Sequence, residues 1–154
     1  MPKDADIPFL KLIHDVFDEV FVKYGFIIQE EEKWTQPETA ILARKGDIEL
    51  AFRLWSSLLF WYFSLEISLL GKLGEEATSD LKYRSLGLES IAECLDTNYK
   101  INIKAAQTEE ELRERMKSDK EELIKYCEDI LMGDVSNWKK TVDCLKGKAE
   151  SKRQ

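Results

Sequence analysis

Histidine is nearly absent: one, His14, stands in 154 residues. A metal centre built on histidine needs further nitrogen or sulfur ligands, and neither a second histidine nor a cysteine lies near it in sequence. His14 and Asp18 are four apart in a helical stretch, so they read as neighbours on a helix surface. Cysteine is sparse too. Cys94, Cys127 and Cys144 are odd in number, widely spaced and without a C-x-x-C pattern. That spacing argues against a disulfide framework and for a reducing compartment, with the thiols packed as small hydrophobes. A basic surplus is missing: 30 acids face 23 bases, a net charge of −7. General nucleic-acid binding needs a basic footprint and is excluded, while a basic partner is allowed.

No G-x-S-x-G elbow, phosphate-binding loop or G-x-G-x-x-G turn occurs. Carboxylate pairs such as Asp15/Glu19 and Glu110/Glu114 are ordinary surface spacings in so acidic a chain. The most apolar run, Leu54 to Leu70, is broken by Ser56, Ser57, Ser64, Glu66 and Ser68 and alternates like a strand, so no membrane span is predicted. The polar start, Met1 to Asp6, lacks an apolar stretch behind a basic one, so no signal peptide is predicted. Together these absences predict a cytoplasmic protein with no catalytic residue, no cofactor and no metal.

What is present is periodic. Phe9, Leu12, Ile13, Val16, Phe17, Val20, Phe21 and Tyr24 recur at helical spacing over residues 7–24, with Asp6 as cap, Pro8 in the first turn and Gly25 as stop. Next comes a four-stranded antiparallel meander over 26–33, 39–45, 48–55 and 60–70. Its turns fall at Thr35-Gln36-Pro37-Glu38, Gly46-Asp47 and Ser56-Ser57-Leu58-Leu59. Placing Trp55 opposite Phe60 sets Leu54 against Trp61, Phe52 against Phe63, Leu50 against Leu65 and Ile48 against Ile67. One face is then wholly apolar, at the cost of Glu49 opposite Glu66. The Gly46-Asp47 turn sets Arg44 opposite Glu49 and Ile41 opposite Phe52.

Gly71, Gly74 and Glu75 to Asp80 read as a loop. A short helix covers 86–95, and Tyr99 to Ile103 alternates as a fifth strand. Thr108-Glu109-Glu110-Glu111 is a capping box for a helix ending at Gly133, with Leu112, Met116, Leu123, Cys127, Ile130 and Leu131 on one side. Asp134 caps a last helix carrying Val135, Trp138, Val142 and Leu145 and stopped at Gly147. A basic tail then frays over 148–154. The expected fold is α+β, one domain over 1–147, with helices segregated before and after the strands.

Two groups of residues are binding candidates. Glu30, Glu31 and Glu32 stand beside Trp34, where acids would steer a basic partner and the ring would supply contact area; the plainer reading is a solvated hairpin tip. Arg53, Trp55, Phe60 and Tyr62 share the sheet face opposite Leu50, Phe52, Trp61 and Phe63. The plainer expectation is that the C-terminal helices cover this patch; a bare patch would mark an interface.

The order of elements also carries a resemblance. An amphipathic helix, then Gly25-Phe26, a strand ending in Trp34, a hydrophobic meander, and C-terminal helices with Met132-Gly133-Asp134 and Trp138 look like several small bacterial α+β families. Some of these resemble the immunity proteins of polymorphic toxin systems, which bind and block a toxin. The likeness covers most of the chain in layout and implies a protein-binding role; no site residue comes with it. An acidic chain of this size also resembles a secretion-type chaperone, from which the unbroken meander departs. The leading expectation is therefore a non-catalytic binder of a basic protein. The alternatives are a dimeric chaperone or adaptor using Trp55, Phe60 and Tyr62, and a small-ligand domain built on a buried polar cluster, for instance His14 with two acids and a base.

Overall fold

A computed structural model describes residues 8–29, 32–35, 38–57, 59–100 and 105–153. Helix α1 runs over Phe9–Tyr24 and buries all eight apolar residues that the periodicity picked out. Gly25 ends it at φ 82°, its N–H donating to the Phe21 carbonyl; glycine takes that left-handed conformation without a Cβ penalty. The expected cap Asp6 lies outside the described residues.

Six antiparallel strands follow among the described residues: β1 (Ile27–Ile28), β2 (Glu32–Thr35), β3 (Glu38–Lys45), β4 (Ile48–Ser56), β5 (Trp61–Leu69) and β6 (Ser85–Gly87). The order is β1-β3-β4-β5-β6, with β2 also on β3. The predicted first strand thus comes in two pieces, both paired to β3. The fold class is α+β, with α2 (Gly71–Ala77), α3 (Leu88–Leu95), α4 (Glu109–Leu131) and α5 (Ser136–Arg153) completing it.

The β3/β4 register agrees with the Gly46-Asp47 turn: Arg44 faces Glu49 and Ile41 faces Phe52. The β4/β5 register is two residues away from expectation. Trp55 faces Tyr62, Leu54 faces Phe63, Phe52 faces Leu65 and Leu50 faces Ile67. The cause lies in the turn. Ser57 N–H donates to the Phe60 carbonyl at 2.8 Å and Ser57 Oγ accepts from Phe60 N–H at 3.2 Å, closing a loop over 57–60 rather than 56–59. The slip also separates Glu49 from Glu66, which now face Ser68 and Ala51.

Helices α1 and α4 cover one face of this sheet. Phe17 packs on Phe52 with ring centroids 4.7 Å apart, Phe9 meets Phe63 edge-on, and Lys45 Nζ donates to the Leu131 carbonyl at the end of α4. Aromatic pairs in these geometries add to the stabilisation from burial alone. Thr108 caps α4 as the capping box predicts, its side chain accepting from Glu111 N–H. On α5, Trp138 is fully buried and donates Nε1–H to the Tyr83 carbonyl at 2.9 Å.

Four expectations need correction. Residues 71–77 are helical rather than loop. Gly74 is there for space, since a Cβ would lie 2.5 Å from the Leu69 carbonyl oxygen. The predicted helix over 86–95 begins at Leu88, and Ser85–Gly87 instead forms β6 on the edge of β5. Cys94 and Cys144 are a disulfide joining α3 to α5, their Cα atoms 6.0 Å apart, so two of the three thiols read as unpaired are paired. Cys127 does pack as a buried hydrophobe, its thiol pushed up to about 12 by burial. Finally, α5 runs through Gly147 to Arg153 where a stop and a frayed tail were expected. The disulfide and a Lys148–Glu93 ion pair at 3.3 Å hold this end to α3. The expected fifth strand falls largely on residues 101–104, outside the described residues; Tyr99 and Lys100 are not in a strand. No described helix is long and apolar enough to cross a membrane.

Candidate functional site on the open face of the sheet

Successive residues of a strand point to opposite faces, so the strands that bury Leu50, Phe52, Leu54, Phe63, Leu65 and Ile67 under the helices also build a second face. Its rows follow from the register. Glu38, Trp55 and Tyr62 make one row; Ala40, Arg53 and Ser64 the next; Leu42, Ala51, Glu66 and Gly87 the third; Arg44, Glu49 and Ser68 the fourth. The middle of this face mixes the small residues Ala40, Ala51, Ser64 and Gly87 with Arg53, Leu42 and Glu66. Among the described residues no helix packs on the aromatic end: Trp55 is 42% exposed and Tyr62 37%. The C-terminal helices therefore do not cover this patch, contrary to the plainer expectation. The reason is their own apolar residues, Leu112, Met116, Trp138 and Val142 among them, which join the core on the other side.

The three predicted aromatics do come together. Trp55 and Tyr62 stand side by side with centroids 5.4 Å apart, and Phe60, in the turn rather than in the strand, lies 6.3 Å from Tyr62. Leu59 extends this end, also exposed. Arg53 lies one row in, its guanidinium between Glu38 at 3.4 Å and Glu66 at 3.5 Å. Of the acidic group, Glu30 and Glu31 lie outside the described residues; Glu32 and Trp34 are in β2, Glu32 opposite Ala40. β2 occupies the same end of β3 as Glu38, so Glu32 and Trp34 belong to the end of the sheet that carries Trp55.

A second cluster was missed. Asp119 is on the apolar side of α4, its side chain 5% exposed, with Arg115 Nε at 3.6 Å. Arg115 Nη2 also donates to Glu89 of α3 at 2.9 Å, and the Tyr99 hydroxyl donates to Glu122 at 3.1 Å. Burial pushes the Asp119 carboxyl up to about 7; Arg115 opposes the shift, and Glu122 and Glu89 reinforce it. The signal was available: Asp119 sits three after Met116 and four before Leu123, a core position of the helix. The cavity between Asp119 and Glu89 measures about 90 Å³, far below the several hundred Å³ of a usual small-molecule site, whereas Arg115 lines a groove of about 610 Å³ with Thr108, Glu111 and Ser118, and Tyr99 and Glu122 line one of about 500 Å³. The polar groups of the cluster lie on Asp119, Arg115, Glu89, Tyr99 and Glu122, not on His14, which is exposed and bonded to Asp18 at 2.8 Å. Among the described residues no group of three histidine, cysteine or carboxylate side chains is placed to hold a metal.

Comparison with known proteins adds no relative. No protein family matches the chain, nor does any curated protein or solved structure.

Proposed function

We propose that this chain is a non-catalytic protein-binding domain, of the immunity type, that takes a basic protein against the Trp55–Tyr62 end of its open sheet face. The observation that carries this reading is the exposed pair of Trp55 and Tyr62 on the sheet, with the half-buried Phe60 of the adjoining turn beside them. Exposed tryptophan and tyrosine beside an arginine are the residue types that dominate binding energy at protein interfaces. Charge names the partner. The chain carries −7, and Glu32, which follows Glu30 and Glu31 in sequence, stands in the strand that flanks this end. Such a surface speeds association with a basic protein and weakens with salt.

The test takes the protein encoded next to this one, where it is basic and arrests growth. Co-expression with the chain should restore growth, and calorimetry should give a one-to-one complex. Trp55→Ala with Tyr62→Ala should weaken that complex at least tenfold, Trp34→Ala should weaken it less, and raising salt should weaken it in all variants. Unimpaired binding by the double variant would overturn the assignment of the surface. A dimer of the free chain in sedimentation, lost in the same variant, would give the face to a second copy instead.

A further inference from the structure

Asp119 is the only charged residue that is buried among the described residues. It lines its small cavity with Ser64 and Leu65 of β5, Gly87 of β6 and the first turn of α3, Leu88 to Ser90. The start of α3 has no side-chain cap; Leu88 and Ile91 bury its apolar side in the core, and on its polar side Glu89 pairs with Arg115 of α4. Arg115 is itself largely buried, its side chain 10% exposed, and one guanidinium serves both Glu89 and Asp119. The far end of α3 is fixed differently, by the Cys94–Cys144 disulfide.

We propose that Asp119 and Arg115 form a proton-operated latch on the start of α3. With Asp119 protonated, Arg115 pairs with Glu89 alone and holds the helix start against α4. With Asp119 ionised, the guanidinium is divided between two carboxylates and the hold weakens. The groups around Asp119 leave it short of positive charge. From α4 come Arg115 and Glu122, from α3 Glu89, and from the segment after α3 Tyr99, whose hydroxyl is already given to Glu122. β5 and β6 add Ser64 and Gly87, which carry no charge. An ionised Asp119 therefore adds a buried negative charge beside one base and two half-exposed acids, where an unbalanced buried charge is costly.

The sign follows from linkage. The carboxyl is held up near 7 in the closed state and returns toward its ordinary 3.8 when the site opens to water. Closure is thus strongest at acid pH and is lost as pH rises to about 7, opening by up to about tenfold per pH unit and levelling above. The experiment is amide hydrogen exchange at Ala92 to Cys94, whose N–H groups bond to the carbonyls of the first turn of α3, in the full chain from pH 5.5 to 8, corrected for intrinsic exchange. A His14→Gln background removes the one histidine, and a carbon-13 titration of the Asp119 carboxyl runs alongside. Expected are a carboxyl titration near neutrality and at least tenfold faster opening of the α3 start by pH 7. Asp119→Asn should abolish that pH dependence. Glu89→Gln, which leaves Arg115 to Asp119 alone, should lower the carboxyl titration. Titration of the wild-type carboxyl near 4, or an unchanged pH dependence in Asp119→Asn, would overturn the latch. Should Asp119→Asn fail to fold, the wild-type titration and Glu89→Gln decide.

Discussion

On β4, Leu50, Phe52 and Leu54 are buried under α1 and α4, while Glu49, Arg53 and Trp55, each one residue away, look out from the other side. On β5 the same division separates Phe63, Leu65 and Ile67 from Tyr62, Ser64 and Glu66. The covered face holds the fold together by area removed from water, about 1.5–3 kcal/mol for each large side chain. The open face is held by exchanges between neighbours: Arg53 with Glu38 and Glu66, Arg44 with Glu49 at 3.8 Å, Trp55 with Tyr62. Pairs this exposed contribute little to stability. One sheet thus separates folding from recognition by alternation alone, so substitutions one residue apart should have different consequences.

Phe52→Ala should show the largest effect. The ring touches Phe17 and Phe21, and a loss of about 3–5 kcal/mol is expected in urea unfolding. Replacing Cys94 and Cys144 together by alanine should come next, although neither lies on the sheet. The bridge spans 50 residues, and the chain-entropy relation puts the loss at up to about 4 kcal/mol, read as a lower urea midpoint. Trp138→Phe should cost about 1 kcal/mol or somewhat more, from the lost bond to the Tyr83 carbonyl. Smallest should be Trp55→Ala, within about 1 kcal/mol in the same assay, because the ring leaves no buried cavity. A Trp55→Ala loss as large as that of Phe52→Ala would erase the contrast between the faces.

Much of this contrast was legible in the residues. The eight apolar positions of α1 and the two faces of β4 and β5 follow from periods of 3.6 and 2. The β4/β5 register did not follow, because a shift of two residues leaves every side chain on its own face. The choice fell to Ser57, whose hydroxyl organises the turn. Helix α2 was hidden by Gly71 and Gly74, residues poor for helix but, at Gly74, required by the nearby Leu69 carbonyl. The Cys94–Cys144 pair was invisible because its residues meet only once α5 packs on α3. Asp119 was overlooked because only apolar residues were counted on the buried side of α4, although its position belongs to that side.

Hydroxyl-radical footprinting of Trp55, Phe60 and Tyr62, with and without the basic partner, bears most directly on the central claim, with the buried Trp61 and Trp138 as internal references. Fast labelling of the three rings in the free chain and protection in the complex is the expected result. Slow labelling in the free chain, or labelling that the partner leaves unchanged, would contradict it.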